Sequence, residues 1–322
     1  MTWLKSWIAR LVPPRLLDRY FGWRLRSKEH ASSDTTPTAY WTQHTVHVNP
    51  DGLNSREQSL EYFKWRCSQY PGYLELMPVE GHDGNRILDY GCGPGHDLIG
   101  FLEHSSPELL VGADVSPTAL ELARQRVRLH PGGESVVLLD CDDPNVFLYQ
   151  LGEHLKFDYV HCSGVLHHVA NPTNVLRTMK SVLAPNGRIR LMLYNRDSIW
   201  RNFYVPYVLQ GWLRQIDPRL ELDQAFQRST DGPSCPIADS YNIVSISALA
   251  VSLGMRCEKV GTAISAHELD IWRTYSRIAL SDRRVSATVR EFMRGLTEDD
   301  SGVPLNHEGW PAGINLVVEL TL

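Results

Sequence analysis

Between an apolar run and the start of a helical pattern the chain carries Asp89-Tyr90-Gly91-Cys92-Gly93-Pro94-Gly95, three glycines at alternate positions behind a carboxylate. Glycines there let the backbone approach a ligand closely and set helix N–H groups beside it. The G-x-G-x-G spacing, with His96 next, lacks the third glycine of the dinucleotide fingerprint. Asp89 would repel a pyrophosphate, whereas a ligand carrying an ammonium or sulfonium charge would gain from it. Acids also stand at the ends of the next two apolar runs. Asp114 is placed to accept from ribose hydroxyls, and Asp140 to accept from an adenine amino group, with Asp142 and Asp143 as rivals. Three acids at successive strand ends point to one adenosine-bearing ligand.

The elements that must position these groups alternate through residues 86–194. Short apolar strands are expected at 86–90, 109–114, 135–139, 157–162 and 188–194, with helices at 97–103, 117–129 and 144–151 and one opening at Asn171-Pro172. Ser116 before Pro117 reads as an N-cap with proline at the first helical position. Val175, Met179 and Val182 share one face of the fourth helix, and Asn186-Gly187 reads as a turn. Strands separated by helices imply a parallel sheet with right-handed crossovers, a doubly wound α/β core. Beyond it a helix is expected at 245–253, a strand near 256–260 and a last strand at 314–320. Segments 196–242 and 266–311 are longer than ordinary connections and are candidate lids or substrate loops. The reading is a helical N-terminal extension over 1–80, then one ligand-binding domain over 81–322 carrying both insertions. Ser55 and Gln58 read as a capping box opening a helix through Tyr62, Phe63 and Trp65.

Four ordered motifs resemble class I S-adenosylmethionine-dependent methyltransferases. They are Ile87 to Gly95, Val111 to Ser116, Phe157 to Val169, and Val182-Leu183-Ala184-Pro185-Asn186-Gly187-Arg188. The resemblance implies a seven-stranded, mostly parallel, Rossmann-like sheet and S-adenosyl-L-methionine as cofactor. Gly91, Gly93 and Gly95 would line its methionine part, Asp114 its ribose, and Asp140 with Cys141 its adenine. Asp89, Cys92, Val115 and Ser163 complete the implied cofactor-binding set. The run Cys141-Asp142-Asp143 departs from the family's pattern and leaves the adenine partner open. Asn186 stands at a turn position where many relatives have glycine.

Methyl transfer from a sulfonium disperses positive charge, so aligning the acceptor and excluding water can carry the reaction. A hydroxyl acceptor would gain from a base, and His167 or His168, just beyond the fourth strand, is the candidate, with His167 preferred. Tyr194 and Asn195 close the fifth strand, where they could touch the acceptor or end the strand. Ser163-Gly164 replaces the Asn-Pro-Pro-aromatic run of amide and adenine methylases, and Cys162 lacks the Pro-Cys setting of pyrimidine methylases. His167 also stands where some quinone O-methyltransferases have an acidic magnesium ligand. Tyr40, Trp41, His44 and His47 could close over the site. His44-x-x-His47 lacks a carboxylate or cysteine partner at ligand spacing, so no metal is expected. The turn-rich stretch from Thr230 to Pro236, with Asp231 and Cys235, resembles a segment that some small-molecule methyltransferases carry before the sixth strand.

With 43% hydrophobic residues over 322 positions, the chain is an ordinary globular protein. A net charge of −5 and the lack of a basic groove argue against nucleic acid and for a small-molecule or glycan-precursor acceptor. Six scattered cysteines without a C-x-x-C pair fit a reducing cytoplasm. The first 28 residues mix Trp3, Leu4, Trp7, Ile8 and Leu11 with Lys5, Arg10, Arg15 and Arg19, a pattern compatible with peripheral contact at an acidic membrane surface. Two other classes compete: a non-catalytic cofactor-binding scaffold, and an NAD-dependent oxidoreductase, which Asp89 and the missing glycine disfavour.

Overall fold

A computed structural model describes residues 36–45, 52–152, 154–232 and 234–322. The amphipathic segment at the N-terminus, His47 and Pro233 lie outside the described residues. Strands β1 (Arg86–Tyr90), β2 (Leu109–Asp114), β3 (Val137–Asp140), β4 (Phe157–Ser163), β5 (Leu183–Tyr194), β6 (Arg256–Ala263) and β9 (Asn315–Thr321) form one sheet in the order β3-β2-β1-β4-β5-β9-β6. A small hairpin, β7 (Thr297–Glu298) with β8 (Pro304–Leu305), stands apart from it. The first five strands are parallel, and β9 runs antiparallel between β5 and β6. This is the doubly wound, mostly parallel, seven-stranded sheet that the sequence implied.

Central strands read as continuous apolar runs because helices cover both their faces. Leu88, Val160, Cys162, Ile189, Leu191, Leu193, Leu316 and Val318 are sealed on one face against the Pro172–Ser181 and Ile243–Ser252 helices. The first of these helices starts at Asn171, whose side chain accepts from the Asn174 N–H ahead of Pro172. Leu176 and Met179 are its sealed residues, and Val175 is only partly covered. On the other sheet face Phe63, Tyr73 and Met77 come from the leader.

Several boundaries differ from the sequence reading. Asn186-Gly187 lies inside one long β5, where the register against β4 slips between Phe157 and Tyr159, rather than in a free turn. A side chain at Gly187 would meet the Phe157 carbonyl, so the bulge needs glycine there. Ser245 is the third residue of its helix, and Asn242 is the cap. Ser55 accepts from the Gln58 N–H, but the Gln58 carbonyl oxygen returns to the Asn54 N–H, so the expected box closes one residue early.

Both segments read as candidate lids or loops, 196–242 and 266–311, carry helices. The first holds a π-helix (Trp200–Trp212) with Pro206 inside it and a short helix (Leu222–Ser229). The second holds the Ala266–Ser281 and Ala287–Arg294 helices. Phe203, Tyr207, Phe226, Trp272 and Tyr275 from both insertions meet in a second apolar cluster. Among the described residues no helix is long and apolar enough to cross a membrane.

Candidate functional site

The glycine loop leaves β1 at the carboxyl edge of the sheet. Gly91, Gly93 and Gly95 have φ of 80, 53 and 81°, a region that glycine enters without strain. A Cβ on Gly91 would lie 2.1 Å from a Val165 methyl, so the loop packs directly on the segment after β4. Gly93 has nothing within 4 Å on its Cβ side. Gly95 is the left-handed cap of the His96–His104 helix. Asp114 anchors the loop, one carboxylate oxygen accepting from the Gly93 N–H (2.8 Å) and the other from the Ser116 N–H (2.9 Å). Cys92 and Cys141 are buried thiols pushed up by that burial, and Val115 packs at the edge of the core.

The three acids after β3 have separate roles. Asp143 caps the Pro144–Leu151 helix, accepting from the Asn145 and Val146 N–H groups. Asp142 accepts from the Thr38 hydroxyl at 2.6 Å, which ties the Pro37–Gln43 helix to this edge. Asp140 accepts from the Asp142 N–H and is exposed beside buried Cys141. Of the three it is the one with no helix or leader to hold.

A buried polar network that sequence reasoning missed lies on the leader side of the sheet. Asp97 accepts from Arg66 Nη1 (2.9 Å) and the Tyr73 hydroxyl (2.8 Å), and faces His161 Nε2 at 3.2 Å. Tyr73 also meets the Ser163 hydroxyl at 3.0 Å. Burial alone would raise Asp97, but Arg66 and the bonds from His161 and Tyr73 outweigh it and hold the carboxyl far below its usual range. Asp89, paired in register with His161, is 2% exposed and its Oδ2 has no partner among the described residues. Burial pushes Asp89 up to about 7, partly opposed by His161. The signal for the network was present: Asp97 and His161 are polar residues inside apolar runs.

A second cluster closes the other end of the cleft, past β4 and β5. His167 stacks on Tyr194 with centroids 3.7 Å apart, and its Nδ1 accepts from the Tyr194 N–H at 3.2 Å. The ring hydrogen therefore sits on Nε2, which is buried without a partner among the described residues, and burial keeps the ring neutral by lowering its pKa well below the usual value. With its lone pair engaged, His167 is a hydrogen-bond donor and does not fit the base role preferred from sequence.

His168 is held the other way. Its Nδ1 donates to the Ile237 carbonyl at 2.7 Å, and its Nε2 lies 3.5 Å from Asp231 Oδ2. The Tyr194 hydroxyl donates to the same Asp231 oxygen (2.8 Å), and Tyr40 donates to the Asp231 backbone carbonyl (2.6 Å). Trp41 packs on His168 at 4.7 Å. His44 bonds back to the Tyr40 carbonyl within its own helix, and Asn195 ends β5 by donating to Gly313 O.

Residues 88–189 match the family described as a methyltransferase domain. The chain is 29% identical over 122 residues to a ubiquinone biosynthesis O-methyltransferase of Pasteurella multocida, an alignment covering 37% of this chain and 50% of that protein. It is 32% identical over 163 residues to the protein of that name from Xanthomonas oryzae pv. oryzae, covering 43% and 64%. The chain therefore spans half the length of one relative and less than two thirds of the other. Among solved structures, YcgJ from Bacillus subtilis aligns over 77% of this chain and 96% of its own, with TM-score 0.47 and 16% identity.

Proposed function

With residues 88–189 forming a class I S-adenosylmethionine-dependent methyltransferase domain, we propose that this chain methylates a small-molecule hydroxyl held beyond β4 and β5. The observation that carries the reading is the contact of Gly91 with Val165, which joins the anchored glycine loop to the segment bearing His167 and His168 at one sheet edge. The residues suit the cofactor. Asp89 has a buried oxygen without a partner and a burial-raised pKa, a state that a nearby cation relieves; Gly93 is open on its Cβ side. When bound, S-adenosylmethionine supplies a methyl group on a sulfonium sulfur.

Each side chain then has a task that needs no covalent step by the protein. Asp114 fixes the loop through two backbone N–H groups, and Asp140 with Cys141 borders the adenine end. Trp41, Tyr40 and Tyr194 shut water out of the acceptor side, since a competing hydration shell would blunt the nucleophile. His167 offers an N–H, while His168 and Asp231 present the polar wall facing the acceptor. The helical insertions meet in their own apolar cluster, against which Tyr194 packs, so they brace the acceptor wall. The names of the two relatives, O-methyltransferases of ubiquinone biosynthesis, support oxygen as the acceptor atom.

Calorimetric titration with S-adenosylmethionine and separately with NAD tests the reading. Micromolar binding of the sulfonium compound only, weakened at least about tenfold in Asp114→Ala at unchanged circular dichroism, is the expected result. Binding of NAD alone would make the chain an oxidoreductase. Binding of S-adenosylmethionine without tritiated methyl transfer to any of a panel of phenols and alcohols would leave a scaffold.

A further inference from the structure

Beside the acceptor wall, three side chains of different chemistry converge. His168 Nε2 and Asp231 Oδ2 lie 3.5 Å apart, Cys235 Sγ is 4.0 Å from the same imidazole at Nδ1, and one ligand atom from each residue lies within 4.8 Å of the others. We propose that this trio is a divalent transition-metal site of the zinc type, with three protein ligands and an open position toward the acceptor.

Four observations carry it. The Ile237 carbonyl takes the Nδ1 hydrogen of His168, which orients the ring and leaves Nε2 as the nitrogen that can ligate. A carbonyl or carboxylate on the far ring nitrogen is the usual support of a metal-ligating histidine. Nε2 then faces Asp231 Oδ2 at 3.5 Å, a separation that a cation held by both the nitrogen and the carboxylate would bridge. Ligand bonds of about 2.0 to 2.3 Å in a tetrahedral site place ligand atoms about 3.3 to 3.8 Å apart, so from mutual separations within 4.8 Å a contraction of at most about 1.5 Å closes the site. Lastly, the loop is held from outside: Tyr194 and Tyr40 fix Asp231, and Gln227 donates to the carbonyls of Cys235 and Pro236.

The donor set selects the ion. One nitrogen, one oxygen and one sulfur suit a borderline ion such as Zn2+ and disfavour magnesium, which wants oxygen alone. Without metal, Cys235 is a thiol donating to the Ile237 carbonyl. Coordination releases that proton to solvent and leaves Asp231 and Cys235 as two negative charges balancing the 2+ ion. His168 and Cys235 are buried, and Asp231 opens the site with a side chain 14% exposed. An acceptor oxygen or sulfur taking the open position would be acidified and aimed, its proton also leaving to solvent. That role rests on the methyl-transfer reading; the site itself does not.

The test uses Co2+ and Zn2+ alone on the full chain stripped with chelator. Expected is one Co2+ per chain with a near-ultraviolet thiolate-to-cobalt absorption, displaced by Zn2+. The absorption should vanish in Cys235→Ser and persist in Cys257→Ser, and Asp231→Asn should weaken Co2+ binding at least about tenfold. No stoichiometric uptake at roughly 10 μM metal, or an absorption unchanged in Cys235→Ser, overturns the site. Titration of S-adenosylmethionine into the same preparations separates the two claims. Cobalt uptake with no cofactor binding removes the methyl-transfer reading and leaves the metal site, whereas cofactor binding without uptake removes the metal site alone.

Discussion

Among single residues, Asp89 is the one whose protonation should be felt in binding. Its folded pKa, raised by burial from 3.8 to about 7, means that the folded protein keeps a proton the unfolded chain loses. Stability therefore falls as pH rises from 3.8 to about 7 and is flat above, because the unfolded state binds fewer protons in that window. A cation beside the carboxyl works the other way, favouring the ionised form. Affinity for S-adenosylmethionine should thus rise as pH passes through 7, with proton release visible as buffer-dependent calorimetric heat; Asp89→Asn should bind more weakly and lose the pH dependence. A flat profile in the unaltered protein would detach Asp89 from the cofactor. The places of Asp114 and Asp140 at strand ends were legible in sequence because apolar runs mark where those strands stop. The tautomers of His167 and His168 were not, since each depends on a distant carbonyl or N–H: Ile237 for one, Tyr194 for the other.

The Arg56–Ser68 helix shows what an element contributes beyond its own propensity. Three polar clamps hold it: Arg56 on Glu103, Arg66 on Asp97, and Ser59 accepting from Arg126 and meeting His130. Only Ser59 and Phe63 are buried along its length, so apolar burial alone is a thin anchor. Arg66→Met should destabilise the fold by about 3 kcal/mol, since a buried carboxylate loses its charged partner, with a matching loss of amide-exchange protection in this helix. A change within about 0.5 kcal/mol in denaturant unfolding would mean that the clamp is dispensable. The sequence announced the helix through Ser55 and Gln58 but not what it covers, because its partners Asp97 and Arg126 are 31 and 67 positions from Arg66 and Ser59. Strands β1, β2 and β4 were readable for the opposite reason: burial on both faces writes a continuous apolar run into local sequence. The first insertion lacked a helical signature because Phe203 to Leu209 is apolar at every position with Pro206 inside it, so no period of 3.6 shows and the proline reads as a break.

Across the whole molecule, apolar burial divides between the sheet core and the cluster built by the two insertions. Phe203, fully buried in the second cluster, should cost about 3 to 5 kcal/mol when changed to Ala. Affinity for S-adenosylmethionine should stay within about twofold, as sites without shared partners act additively. Loss of cofactor binding in that variant would show the two cores to be one cooperative unit. The placement of β9 also governs the order in which the molecule can be made. Among the described residues strand β6 hydrogen-bonds only to β9, and β9 alone joins β6 to the parallel strands. On a ribosome, β5 emerges with its outer edge bare and β6 follows without a neighbour; both wait until the whole second insertion has been synthesised. The cleft edge that pairs Tyr194 with Asn315 is thus completed last, so the nascent chain assembles its glycine loop well before it has a finished acceptor wall.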